Sequence, residues 1–276
     1  MSVHRILGPK ITVAARRLEL YIIAMSLALA FLCVAAFAAG LIDSIAGGGG
    51  LISLPALLAA GVPPHIALGT NKLQSMSGTA VALANFHRHA KVLWKIAAVG
   101  VPFALVSSAL GARLALIVPP SMLGKALIIL LPPAAAAIFL SRSLLHPVGI
   151  HLPHGQKFWL PTIAACSVVG LYDGFFGPGT GTFLILALVL FSRVPLLNAS
   201  ATAKTFNLAS NVGAFVAFAH SGSVDYKIGI SMALANIAGG YAGSRLAIRH
   251  GDTFVRRMLM VAVGALFIYL VWKYYL

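Results

Sequence analysis

The chain has 276 residues, 60% of them hydrophobic and only 9% charged. That balance excludes an ordinary soluble domain, because apolar runs near the length needed to cross roughly 30 Å of hydrocarbon recur from one end to the other. The formal net charge of +15 is spread through loops and helix ends without a dense basic stripe or stacking platform, which excludes nucleic-acid recognition and fits anchoring by the positive-inside rule.

In chain order, residues 1–19 form a basic segment with Arg5, Lys10, Arg16 and Arg17 ahead of the first apolar run. Ala36-Phe37-Ala38 resembles a leader cleavage site, but an equivalent apolar run at 158–169 precedes the second half, so segment 1 is read as retained. Apolar segments are expected at 20–40, 44–60, 66–86, 95–118 and 122–141, then at 158–173, 178–192, 200–219, 227–248 and 254–273. Segments 44–60 and 178–192 are too short to span comfortably, and both follow glycine clusters. The intervening linker, 142–157, is polar and holds His146, His151 and His154, which lack an acidic or cysteine partner for a metal site. Cys33 and Cys166 lie within apolar segments and read as small buried hydrophobes.

The two halves, 20–141 and 158–276, say the same thing about 130 residues apart. Gly40-Leu-Ile-Asp43-Ser-Ile-Ala-Gly47-Gly48-Gly49-Gly50 answers Gly170-Leu-Tyr-Asp173-Gly-Phe-Phe-Gly177-Pro-Gly179-Thr180-Gly181. Thr70-Asn71-Lys72 answers Thr202-Ala203-Lys204, Trp94-Lys95 answers Tyr226-Lys227, and Gly111-Ala-Arg113 answers Gly243-Ser-Arg245. Five apolar segments per copy predict opposite orientations, an inverted repeat of the kind that builds secondary transporters. Loop charges lean the same way: Arg88, Lys91 and Lys95 in one copy, Arg249, Arg256 and Arg257 in the opposite loop of the other. The basic N-terminus fits this count only if segments 1 and 2 make one crossing or a re-entrant hairpin. The expected fold is therefore all-α and polytopic, with discontinuous helices and eight to ten membrane segments.

Runs of glycine cannot hold a regular helix in lipid, since each costs about 1 kcal/mol against Ala. Irregular backbone at membrane depth survives only inside protein or along a cavity. The freed amides at the start of the following half-helix favour an anion. Neither cluster ends in the GK[ST] of a phosphate-binding loop. Asp43 and Asp173 flank the two clusters, and the matched Lys72 and Lys204 follow them. Charges in a membrane cost several kcal/mol and mark function by default, although interfacial snorkelling of the lysines and helix capping by the aspartates are the structural alternatives. Thr70, Asn71, Gln74 and Ser75 accompany Lys72, as Thr202, Thr205 and Asn207 accompany Lys204. Ser107-xxx-Gly111 and Gly239-xxx-Gly243 read as small-residue faces for close helix contact.

The two motifs, Gly47–Gly50 with Ala67-Leu-Gly-Thr70-Asn-Lys72, and Gly174-Phe-Phe-Gly177-Pro-Gly179-Thr-Gly181 with Ala203-Lys204-Thr-Phe-Asn207, resemble the sulfite exporter TauE/SafE family of membrane permeases over about residues 20–275. The resemblance implies a multi-pass transporter of the bacterial inner membrane for sulfite, sulfonates or related small organic acids. The binding set expected from the residues is Gly47, Gly48, Gly49, Gly50, Gly177, Gly179, Thr180 and Gly181 as backbone donors. Lys72 and Lys204 would neutralise charge, and Thr70, Asn71, Thr202 and Asn207 would give oriented hydrogen bonds. Asp43 or Asp173 would carry a coupled proton or sodium ion. Thr180 opposite Gly50, and Ala203 opposite Asn71, make the half-sites unequal. No cofactor or metal is expected; the partners are a small anion and the lipid bilayer, and a homo-oligomer is compatible with the sequence. An anion channel and a membrane-embedded enzyme are the competing classes, the latter lacking any nucleophile–base or metal constellation.

Overall fold

The computed structural model describes residues 9–89, 91–123, 125, 159–192 and 194–275, with side chains described from Ile23 onward and up to Met258. The linker with its three histidines, and nearly all of segment 122–141, lie outside the described residues. Among the described residues the elements are eight α-helices. They are α1 (Pro9–Ala46), α2 (Gly50–Ala59), α3 (Pro64–Arg88), α4 (Trp94–Ile117), α5 (Trp159–Phe175), α6 (Thr180–Ser192), α7 (Leu196–His220) and α8 (Tyr226–Tyr275). Helix α8 is broken at Gly251, whose φ of 68° no helix accommodates.

The breaks fall where glycine is concentrated. Gly47 and Gly177 adopt φ of 82° and 96°, and each ends a long helix. Beyond the first break the chain turns back: a Cβ on Gly49 would lie 2.6 Å from the Ala39 carbonyl oxygen and 2.7 Å from Asp43 Cβ. The chain thus forms a helical hairpin at this break, with α2 as its return arm. At about 1.5 Å per residue, α2 and α6 are roughly 15–20 Å long, too short to cross a bilayer. Among the described residues two helical stretches are suited to a crossing by length and composition, Met25–Ala46 and Trp94–Ile117. Helices α3 and α7 are long enough, but they carry the buried polar side chains.

Packing places α3 and α7 at the centre, in contact with each other. Around them α1 packs on α8 and α4 on α5, while α3 also meets α8 and α7 also meets α4. Every such pairing has its counterpart in the other half of the chain. The peripheral contacts are close because small residues face them. A Cβ on Gly111 of α4 would lie 2.1 Å from the Leu171 carbonyl oxygen of α5, and one on Gly239 of α8 would lie 2.1 Å from that of Phe37 on α1. The outer surface is apolar, with Phe31 and Val34 on α1, Leu110 and Leu114 on α4, Val168 on α5 and Leu234 on α8 exposed. Trp94 and Tyr226 open α4 and α8 half-exposed, as an aromatic belt would place them.

Candidate functional site

The two glycine breaks meet at the middle of the molecule. A Cβ on Gly47 would lie 2.3 Å from the Gly181 carbonyl carbon, and one on Gly50 would lie 3.3 Å from Pro178 Cα. The Thr182 amide donates to the Gly47 carbonyl oxygen at 3.0 Å, and Thr182 Oγ1 donates to that of Ala46 at 2.9 Å. Each hairpin tip thus finishes the backbone of the other, which is how irregular chain is tolerated away from water.

Two lysines cross between the halves at this point. Lys72 Nζ on α3 donates to the Asp173 carbonyl oxygen at 2.6 Å and pairs with Asp173 Oδ1 at 2.9 Å. Lys204 Nζ on α7 donates to the Asp43 carbonyl oxygen and pairs with Asp43 Oδ2 at 3.0 Å. Asp43 and Asp173 lie in the last turns of α1 and α5, where carbonyls lack intrahelical partners and the helix dipole is negative. A cation there satisfies both the carboxylate and the helix end. The lysine side chains are 1% and 0% exposed, so neither snorkels to an interface. Gly177 makes room for one of them, since a Cβ there would come within 3.0 Å of Lys72 Nζ.

Beside these pairs lies a small polar cavity, with room for about one water molecule. Of the expected set, Asp43, Gly47, Gly50, Asn71, Lys72, Asp173, Gly177, Gly179, Thr180, Gly181 and Asn207 line it. Among the described residues no acceptor takes the amides of Gly50, Gly179 or Gly181. The Asn71 carboxamide oxygen receives Ser53 Oγ at 2.6 Å and Gln74 Nε2 at 2.9 Å, which leaves its NH2 group as the free end. Asp173 Oδ2 is buried without a hydrogen-bond partner.

Five expected residues stand elsewhere. Lys204 sits behind Asp43. Gly49 folds against α1, its amide 3.5 Å from Asp43 Oδ1, and Gly48 belongs to the same turn. Thr70 and Thr202 lie away from the cavity: Thr70 Oγ1 accepts the Asp225 amide at 2.9 Å and Thr202 Oγ1 accepts the Leu93 amide at 3.0 Å, each ahead of a helix of the other half. The lysines, expected to neutralise the charge of an anion, are each paired with a carboxylate. Two lining residues fall outside the expected set, Ser75 and Asn211. Asn211 follows Asn207 by one helical turn and bonds to it, Nδ2 to the Asn207 carbonyl at 2.7 Å and to Oδ1 at 3.0 Å. The i, i+4 spacing was the available signal.

Comparison with known proteins bears on what such a site serves. Residues 32–270 match the profile of the family described as Sulfite exporter TauE/SafE. The chain is 43% identical over 242 residues to the probable membrane transporter protein ORF9 of Sinorhizobium sp., covering 86% of this chain and 90% of that protein. It is 37% identical over 236 residues to the probable membrane transporter protein YfcA of Escherichia coli K12, covering 85% and 86%. A probable membrane transporter protein of Haemophilus influenzae is 36% identical over 238 residues, covering 84% and 90%. No solved structure matches the chain.

Proposed function

This chain is a membrane transporter of the sulfite exporter TauE/SafE family, and we propose that it moves small anions across the bacterial inner membrane as a multi-pass secondary permease. Sulfite, sulfonates and related small organic acids are the substrate class. The observation that carries this reading is the reciprocal pair of lysine–aspartate bridges, Lys72 to Asp173 and Lys204 to Asp43, flanking a cavity where two broken helices meet.

The four charges sum to zero, so an anion enters a site that is neutral but rich in unused donors. The amides of Gly50, Gly179 and Gly181 and the Asn71 NH2 group offer hydrogen bonds to an oxyanion at the positive ends of α2 and α6. Lys72 supplies charge that it now shares with Asp173. Asn207 and Thr180 orient the carboxylates, and Asp43 and Asp173 answer the arriving negative charge by taking up a coupling proton or sodium ion. Alternating access follows from rocking of two inverted halves about the central helices.

The test is thermal stability of the purified protein against sulfite, sulfate, sulfoacetate, taurine and simple carboxylates, with Lys72→Gln/Lys204→Gln beside wild type. A ligand of the native state raises the melting point with its concentration. A concentration-dependent rise with sulfite or a sulfonate, lost in the double variant, is expected. Stabilisation that persists in the variant would place binding away from the lysines, and no stabilisation by any of these anions would remove the substrate class.

A further inference from the structure

The two aspartates occupy matched positions, yet their surroundings differ in kind. Asp173 is held short through one oxygen: Oδ1 receives Lys72 Nζ at 2.9 Å and Thr180 Oγ1 at 2.7 Å, Oδ2 is buried without a partner, and the side chain is 3% exposed. Asp43 is held long: beyond Lys204 Nζ at 3.0 Å, its contacts are Asn207 Nδ2 at 3.3 Å, Thr79 Oγ1 at 3.5 Å and the Gly49 amide at 3.5 Å. Its side chain is 17% exposed. One sequence difference accounts for much of this, because Gly50 stands where the second half has Thr180 and brings no hydroxyl to its aspartate.

From this inequality we infer that Asp43 is the carboxylate that takes up the coupling proton, while Thr180 is a positioning residue that keeps Asp173 a fixed counter-ion of Lys72. The inference rests on the anion-transport reading above. A proton from the aqueous phase adds to a carboxylate oxygen of Asp43; no other bond is made or broken. The Lys204 ammonium loses its counter-charge, and the site gains one positive charge as the anion arrives. Among the described residues the charged groups facing Asp43 are Lys204 from α7, Lys72 from α3 and Asp173 from α5; α2 brings Gly50, α6 brings Thr180 and Gly181, and no described residue of α8 lines the cavity. Asn207 links Asp43 to Asn211, so the open carboxylate also sits at the end of a polar chain along α7.

Infrared difference spectroscopy of the full-length protein in liposomes, recorded between alkaline and acidic medium, reads the proton directly. On acidification wild type is expected to gain, over the bands of its other carboxyls, a carboxylic-acid C=O band that appears only when sodium sulfite is added. The band is expected to be absent in Asp43→Asn and present in Asp173→Asn. Thr180→Ala keeps both aspartates and is expected to add a second band, from Asp173; it serves where Asp173→Asn does not fold. A band that persists in Asp43→Asn, or that Asp173→Asn abolishes in folded protein, overturns the assignment, as does an unchanged spectrum in Thr180→Ala. Counterflow of labelled sulfite in wild-type liposomes judges the parent reading separately: its absence with the Asp43 band intact would sink sulfite transport and leave the proton site standing.

Discussion

Lys72 and Asp173, 101 residues apart in sequence, form an ion pair of 2.9 Å with both side chains almost fully buried. The same join runs the other way between Lys204 and Asp43. A central helix of each half thus ends its charge on the broken helix of the other, and the halves cannot separate without exposing four charges. Formation of such pairs offsets desolvation only while both partners are present.

Lys72→Met and Asp173→Asn are each expected to lower stability by about 3–5 kcal/mol, because either leaves an uncompensated buried charge. The double variant should recover much of that loss. Chemical unfolding of the detergent-purified proteins checks this with a double-mutant cycle. Simple additivity of the two single effects would mean that the pair is not energetically coupled.

The glycine breaks are separable by position. Gly47→Ala combines a positive φ with a Cβ 2.3 Å from the Gly181 carbonyl carbon, whereas Gly48→Ala meets nothing nearer than Leu51 Cδ1 at 3.5 Å. Backbone strain of this kind costs of order 1–3 kcal/mol before the clash is counted. Gly47→Ala and Gly177→Ala are expected to melt well below wild type, and Gly48→Ala close to it. Equal melting points for Gly47→Ala and Gly48→Ala would show that the tip-to-tip contact does not hold the fold.

How far the sequence carries a reader depends on the distance over which each residue acts. Helix breaks at Gly47 and Gly177 are local backbone chemistry, and both were legible in sequence. So were the small faces at Gly111 and Gly239, which follow from spacing. The duplication gave the matched Lys and Asp positions but not their partners: nothing local says that Lys72 reaches Asp173 rather than a substrate. The partners of Thr70 and Thr202 are hidden for the same reason, since only tertiary packing brings the amides of Asp225 and Leu93 near them.

Asn71 is the side-chain donor on which the anion reading leans most. Its oxygen is occupied by Ser53 and Gln74, so Asn71→Ala removes a donor to the cavity and Ser53→Ala only a support. A hydrogen bond to a charged group contributes about 1.5–3 kcal/mol, so Asn71→Ala should weaken anion binding by roughly tenfold or more. Ser53→Ala should weaken it less. Titrating the melting point with sulfite in each variant gives the comparison, and equal midpoints for Asn71→Ala and wild type would take Asn71 out of the site.

The outer helices are seated by backbone-to-backbone contact that no side chain can enter. On α8, a Cβ at Gly243 would lie 2.1 Å from Ser44 Oγ and 2.3 Å from the Leu41 carbonyl oxygen; on α4, one at Gly111 would lie 2.1 Å from the Leu171 carbonyl oxygen of α5. Overpacking a well-filled contact costs typically about 1–3 kcal/mol, and a carbonyl cannot rotate aside as a side chain can, so the upper end applies. Gly243→Val and Gly111→Val are each expected to broaden or split the size-exclusion peak and lower the melting point, whereas Leu110→Val, at an exposed position of α4, leaves both unchanged. A sharp, heat-stable peak for Gly243→Val would mean that α1 and α8 can move apart without loss of the fold, and the α1–α8 contact would then be a sliding surface for the transport cycle.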